Sequence, residues 1–234
     1  MIPPEDRNEM LTGYLRDTLS IYARMRRTLV REMQDRGACP PLKYASAEEM
    51  VLFVGRPKAT RITECRFPPM RAGNCFGNAF ELTLDDPTLT YVEGWACMEQ
   101  SYPTHHGWVE DTNGNIHDPT WLTIVQEQRA NPRTRFMYGY AARCVYWGVR
   151  VPRRQHLAWF HKHDTPNVLS FGDMTPREIL HEGMDALSDI SSNEAEDIRQ
   201  AKHALATTPQ WRLNGAGTGH ERTNLGGTLT EWYP

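Results

Sequence analysis

Four blocks in the middle of the chain constrain it most: Gly73-Asn74-Cys75-Phe76-Gly77-Asn78-Ala79-Phe80-Glu81-Leu82, Tyr91-Val92-Glu93-Gly94-Trp95-Ala96, His105-His106-Gly107-Trp108-Val109-Glu110 and Asn115-Ile116-His117-Asp118-Pro119-Thr120-Trp121. Gly73 and Asn74 break the preceding structure, and Ala79, Phe80, Leu82 and Leu84 follow among good helix formers. That predicts a helix with Cys75 in its first turn. The next blocks read as strands, whose side chains alternate faces. His106 therefore points the same way as Trp108 and Glu110, while His105, Gly107 and Val109 point the other way. Only one of the two histidines can face Cys75. Thr112-Asn113-Gly114-Asn115 is a turn signal, which brings Asp118 back on a paired strand beside the histidine.

A cysteine, a histidine and an aspartate in this order have a chemical meaning. An ordinary thiol is mostly protonated at neutral pH, so a nucleophilic one needs a neighbouring imidazole or a helix N-terminus to favour the thiolate. An acid beside the imidazole fixes its tautomer. Asn74 has two readings, as an oxyanion-hole donor just upstream of the nucleophile or as a cap of its helix. Trp108 reads as a wall beside the histidine, and Glu110, on the face of His106, as a second candidate orienter.

At these residues the chain resembles the transglutaminase-like cysteine enzymes, a superfamily of papain-like architecture. The likeness lies in G-x-C at a helix start, a Y-V-x-G-W-A strand, an H-x-W-V-E strand and a strand ending D-P-T, and covers residues 71–121. It implies Cys75 as nucleophile, His106, two places before the tryptophan, as base, and Asp118, before Pro-Thr, as orienter. It also implies acyl transfer or hydrolysis at an amide or peptide carbonyl through an acyl-enzyme, with water or an amine as acceptor. No long acidic calcium-binding segment accompanies these motifs, so protein crosslinking is not implied. His105 and His117 read as packed or surface histidines.

The rest of the chain limits the alternatives. A formal charge of −3 over 234 residues gives no global reason to expect nucleic acid or an acidic membrane as partner. The five cysteines are widely spaced, without C-x-x-C or zinc-finger spacing, so the expectation is reduced thiols, no metal and no cofactor. No apolar run approaches the roughly 20 residues of a membrane span, and the first residues lack the pattern of a signal peptide, which makes the cytoplasm the expected compartment.

Leu11, Leu15, Thr18, Tyr22, Met25, Leu29 and Met33 recur at steps of three and four, predicting an amphipathic helix over residues 6–36 that Gly37 stops. Arg16, Arg24, Arg26, Arg27, Arg31 and Arg36 fall largely off that stripe, as a solvated face or a contact for an acidic partner. Ser46 reads as the cap of a short helix running to Gly55, and Thr60–Cys65 as a strand. Residues 135–150 carry the aromatic and β-branched types of two more strands. His156, His161 and His163 lie close together, but their spacing suits no single helical face, so they read as a packed or exposed cluster. Thr175-Pro176-Arg177-Glu178 opens a helix through Leu187, and Ser191 or Ser192 caps another over 194–206. Gly215–Gly219 lacks the Lys-Ser/Thr ending of a phosphate loop.

The expected architecture is α+β: an antiparallel sheet with the nucleophile helix packed on it, a long N-terminal helix and a C-terminal helical hairpin. Its divisions are an amphipathic helix (1–40), a catalytic core (41–165), C-terminal helices (166–206) and a flexible tail (207–234). Two rival functions keep the fold without the chemistry: a binding module using the arginine-rich helix, and a nucleic-acid-associated factor using Arg24 to Arg36 and Arg56 to Arg71.

Overall fold

The computed structural model describes residues 4–99, 101–130, 143–169, 177–187 and 194–207. Helix α1 spans Pro4–Asp35, and Gly37, at φ 70°, makes the left-handed turn that ends it. The expected stripe is buried only in its first half. Leu11, Leu15 and Leu19 are buried, whereas Tyr22, Met25 and Leu29 are 49 %, 66 % and 48 % exposed. The reason is length: 32 residues of helix extend about 48 Å, and the strands beneath it are at most nine residues long, about 30 Å.

Helix α2, Ala47–Val54, begins and ends where the sequence places it. The Ser46 hydroxyl accepts the Glu49 N–H, the Glu49 carboxylate reaches back to the Ala45 N–H, and the Gly55 N–H closes on Val51.

Five strands follow: β1 (Arg56–Arg61), β2 (Thr90–Met98), β3 (Thr104–Glu110), β4 (Ile116–His117) and β5 (Arg143–Val151). They form one antiparallel sheet in the order β1-β5-β2-β3-β4. One expectation is corrected. The strand expected at Thr60–Cys65 runs over Arg56–Arg61 instead and stops where Ile62–Glu64 turns as a 3-10 helix that puts Ile62 into the core. Of the two strands expected over 135–150, one is β5, inserted between β1 and β2; Tyr138 and Tyr140 lie outside the described residues.

The sheet is a middle layer. On one face Tyr91, Val109, Trp147 and Val149 pack with Leu11, Leu15 and Leu19 of α1, Met50 and Val51 of α2, and Phe76 and Ala79 of α3 (Cys75–Asp85). Helix α1 thus packs as a layer on the sheet. Each fully buried leucine contributes about 1.5–3 kcal/mol. On the other face Val92, Ala96, Trp108 and Tyr146 pack with Trp121, Leu122 and Val125 of α4, Pro119–Ala130, a helix that the motif-based reading did not anticipate.

Helix α5 (Arg153–His163), α6 (Arg177–Glu182) and α7 (Glu194–Thr207) complete the described chain. Gly183, at φ 70°, converts the end of the helix expected through Leu187 into a 3-10 turn over Gly183–Leu187. The two C-terminal helices have different partners: Ile179 joins the core of α1 and the sheet, whereas Ile198, Ala201 and Leu205 of α7 pack on Phe80 and Leu84 of α3 and on Leu157 and Phe160 of α5. Thr175, Pro176, Ser191, Ser192 and residues 208–234 lie outside the described residues. Among those described, no helix is long and apolar enough to cross a membrane.

Candidate active site

Gly73, at φ 76°, takes a backbone conformation that suits glycine and turns the chain into α3, whose first residue is Cys75. The thiol is half-buried at a helix N-terminus, where backbone N–H groups lack intrahelical partners. The helix lies on the face of β3 that carries His105 and Gly107. A Cβ on Gly107 would come within 2.9 Å of Phe76 Cδ1 and 3.2 Å of Phe76 Cα, so the glycine is what lets the start of α3 sit against the strand.

His106 is on the other face, as alternation requires, and is 2 % exposed. Its Nε2 is 2.7 Å from Asp118 Oδ2, which leaves Nδ1 as the ring nitrogen available to Cys75. Cys75 and His106 come from opposite faces of the sheet, and β4 pairs only with Val109 and Glu110, so the edge of β3 beside His106 is open. Burial works against a charge on His106, but the Asp118 carboxylate first, and then the nearby Cys75, outweigh it and raise the imidazole to about 10.

Asp118 has two roles in the fold. Oδ1 accepts the Trp121 N–H at 3.0 Å, capping α4, while Oδ2 holds His106 and accepts the Tyr146 hydroxyl at 2.8 Å. Burial first, then the neighbouring Asp118 charge, push Tyr146 well above the usual phenol range, so it stays a donor. Trp121 packs on the His106 ring at 4.7 Å between centroids.

The other expected site residues fall differently. Asn74 does not cap α3. Its backbone, at φ −115° and ψ 45°, is outside the extended region that capping residues use, and its amide folds against Gly77 instead. Nδ2 reaches Asn78 Oδ1 at 3.4 Å, and Oδ1 is buried with no hydrogen-bond partner. Trp108 is a buried wall, its ring 6.4 Å from that of His106. Glu110 is not at the imidazole: it binds Lys58 Nζ at 2.7 Å and Arg150 Nε at 2.8 Å. All three line, with Trp108 and Tyr146, a cleft of about 500 Å³ that does not include Cys75.

His105 has an acid of its own. Its Nε2 is 2.9 Å from Glu93 Oε1, and its ring lies 4.9 Å from both Phe76 and Trp95. Glu93 is fully buried and also accepts the Tyr91 hydroxyl and the N–H groups of Val168 and Leu169, so it fastens that segment to β2. His117 packs edge-on to Phe67 and faces Asp111. The three histidines of α5 diverge. His156 bonds Pro166 O, His161 bonds Asp197 O, and His163 stacks on Trp159. Among the described residues no group of three potential ligands could hold a metal ion.

Sequence reasoning missed Asn78 and Thr120. Asn78 is 2 % exposed on a helix otherwise buried through Phe76, Ala79 and Phe80, and a polar side chain on that face was the available signal. No protein-family model, curated protein or solved structure matches this chain.

Proposed function

We propose that the chain is a thiol enzyme that attacks an amide or peptide carbonyl, forms an acyl-enzyme on Cys75 and passes the acyl group to water or an amine. The observation that supports this reading is the His106–Asp118 pair, 2.7 Å apart, with Cys75 at the start of α3 near enough to help raise the imidazole. His106 as imidazolium holds the thiolate as an ion pair. The thiolate attacks the carbonyl carbon and the electron pair moves to oxygen, where the free N–H of Cys75 stabilises it. Collapse expels the leaving nitrogen, which takes the proton from His106. Neutral His106 then removes a proton from the incoming water or amine, whose attack on the thioester releases the product and restores the ion pair. Asp118 orients the ring throughout.

Intact mass after incubation with small amides and activated esters tests this directly. Wild type should gain one acyl group and Cys75→Ser none. Alkylation at pH 6 should single out one of five thiols. Five equally slow thiols would favour a non-catalytic module of the same fold, whose contact surface would be the exposed Arg16, Arg24, Arg26 and Arg31 of α1, with Arg36 just beyond it, beside Tyr22, Met25 and Leu29. Arg27 is already tied to Glu49.

A further inference from the structure

Asn78 stands one helical turn after Cys75, and Thr120 two residues after Asp118. The Asn78 Nδ2 donates to Thr120 Oγ1 at 2.8 Å and to Arg71 O at 2.7 Å, while Oδ1 accepts from Asn74 Nδ2 at 3.4 Å. Both side chains are 2 % exposed. Both amide hydrogens of Asn78 are therefore used, and its oxygen accepts one bond. A buried amide bonded on both sides holds its neighbours in one arrangement.

The placement matters because the nucleophile and the acid come from two helix starts far apart in sequence; the Met70 N–H already bonds Pro119 O at 3.2 Å across the same gap, and the Asn78–Thr120 bond adds the tie one turn into α3. Cys75 is the first residue of α3, and Asp118 caps α4 through the Trp121 N–H. Between them lie β2, β3 and β4. His106 sits between the two starts on a strand. Its ring can serve the thiol and the carboxylate together only if the starts of α3 and α4 hold a fixed separation.

We propose that Asn78 and Thr120 are positioning residues of the thiol site, a bracket that sets the separation of the two helix starts so that His106 bonds Cys75 and Asp118 at once. Arg71 extends the bracket to the segment that leads into Gly73 and Cys75. The bracket rests on the reading of Cys75 and His106 as an ion pair. It adds no group that touches substrate. Misplacement of reacting groups by about 1 Å is enough to cost on the order of a hundredfold in rate.

The test measures iodoacetamide alkylation of Cys75 at pH 6 by mass spectrometry, alongside urea unfolding, in wild type, Asn78→Ala, Thr120→Val, the double variant, Thr120→Ser and His106→Ala. The bracket predicts that Asn78→Ala and Thr120→Val each slow alkylation at least tenfold under conditions where unfolding shows the protein folded. The double variant should be no slower than the slower single one, and Thr120→Ser, which keeps the hydroxyl, should restore the wild-type rate. Wild-type rates in folded Asn78→Ala and Thr120→Val would overturn the bracket while His106→Ala stayed slow. A wild-type rate in His106→Ala would overturn the ion pair and the bracket with it. If Asn78→Ala fails to fold, Thr120→Val and Thr120→Ser still decide the matter, because threonine and valine have the same shape.

Discussion

Asp118 serves His106 and α4 with different oxygens: Oδ2 lies 2.7 Å from the imidazole Nε2, and Oδ1 accepts the Trp121 N–H at 3.0 Å. Orienting a base and starting a helix are therefore separable by substitution. Asn keeps a capping oxygen and loses the charge; Ala loses both. Asp118→Asn should slow Cys75 alkylation and turnover by about tenfold to a thousandfold, less than the roughly 10⁴ of a serine triad, because a thiolate–imidazolium pair is charged before substrate arrives. It should also bring His106 down from about 10, since the Asp118 charge is one of the forces that raise it. Asp118→Ala should lose about 1 kcal/mol more for the missing cap. NMR titration of the His106 ring and urea unfolding read the two effects apart. An unchanged ring titration in Asp118→Asn would leave Asp118 a helix cap only.

His105 and His106 should fail in different ways. His106→Ala removes the proposed base and should abolish selective alkylation of Cys75. His105→Ala removes a ring packed between Phe76 and Trp95 and takes one partner from the buried Glu93 carboxylate. Its cost should fall on stability, about 1–3 kcal/mol, with alkylation close to wild type in the folded protein. Loss of alkylation in folded His105→Ala, with His106→Ala unaffected, would transfer the base to the Glu93–His105 pair.

The local signals in the sequence were reliable and the long-range ones were not. Cys75 at a helix start, the division of His105 from His106 and the turn before Asp118 each depend on a few adjacent residues, and all three hold. Gly37, Ser46 and Gly55 likewise end or begin helices where their chemistry demands. Burial along α1 was not legible, because Tyr22, Met25 and Leu29 continue the stripe of Leu11 and Leu15 and only the extent of the sheet decides which of them is covered. The place of β5 between β1 and β2 depends on pairing across more than 40 residues, which periodicity does not encode. Helix α4 does have its signal, an aspartate before proline at the first helical position, but the same Asp-Pro-Thr also reads as the end of a strand. Asn74 showed the reverse: a residue type suited to capping, held by its backbone in a conformation where it cannot cap.

Gly107 offers a probe of how closely α3 must approach the sheet. A methyl group there would meet Phe76 at 2.9–3.2 Å, including its Cα, and backbone cannot swing aside as a side-chain tip can. Gly107→Ala should therefore push the start of α3 off β3. Overpacking of this kind costs about 1–3 kcal/mol, and Cys75 alkylation should slow in parallel because the displaced atoms adjoin the nucleophile. Phe76→Leu in the same background should restore part of both by vacating the contact at Cδ1. If Gly107→Ala alters stability and leaves alkylation unchanged, the thiol geometry does not depend on this contact.

The acid limb of stability should carry the signature of His156. Its ring is fully buried, 3.9 Å from Tyr91 and 4.3 Å from Phe80 between centroids, and the neutral ring donates its Nε2 proton to Pro166 O. Burial depresses it from 6.5 to about 4, against the opposing pull of the Pro166 carbonyl and the Glu93 charge. The folded state therefore binds fewer protons than the unfolded one between those values. The contribution is fully present above pH 6.5, declines as the unfolded chain takes up the proton, and stops declining below pH 4, where both states are protonated. The whole difference is about 3 kcal/mol. Carboxylates titrate in part of this range too, so the comparison that isolates the histidine is with His156→Gln, which keeps an N–H for Pro166 and has no proton to gain. In urea midpoints measured from pH 9 to pH 4, the two curves should run parallel above pH 7, and below it wild type should fall more steeply than His156→Gln. Parallel curves throughout would mean that His156 does not resist protonation in the fold.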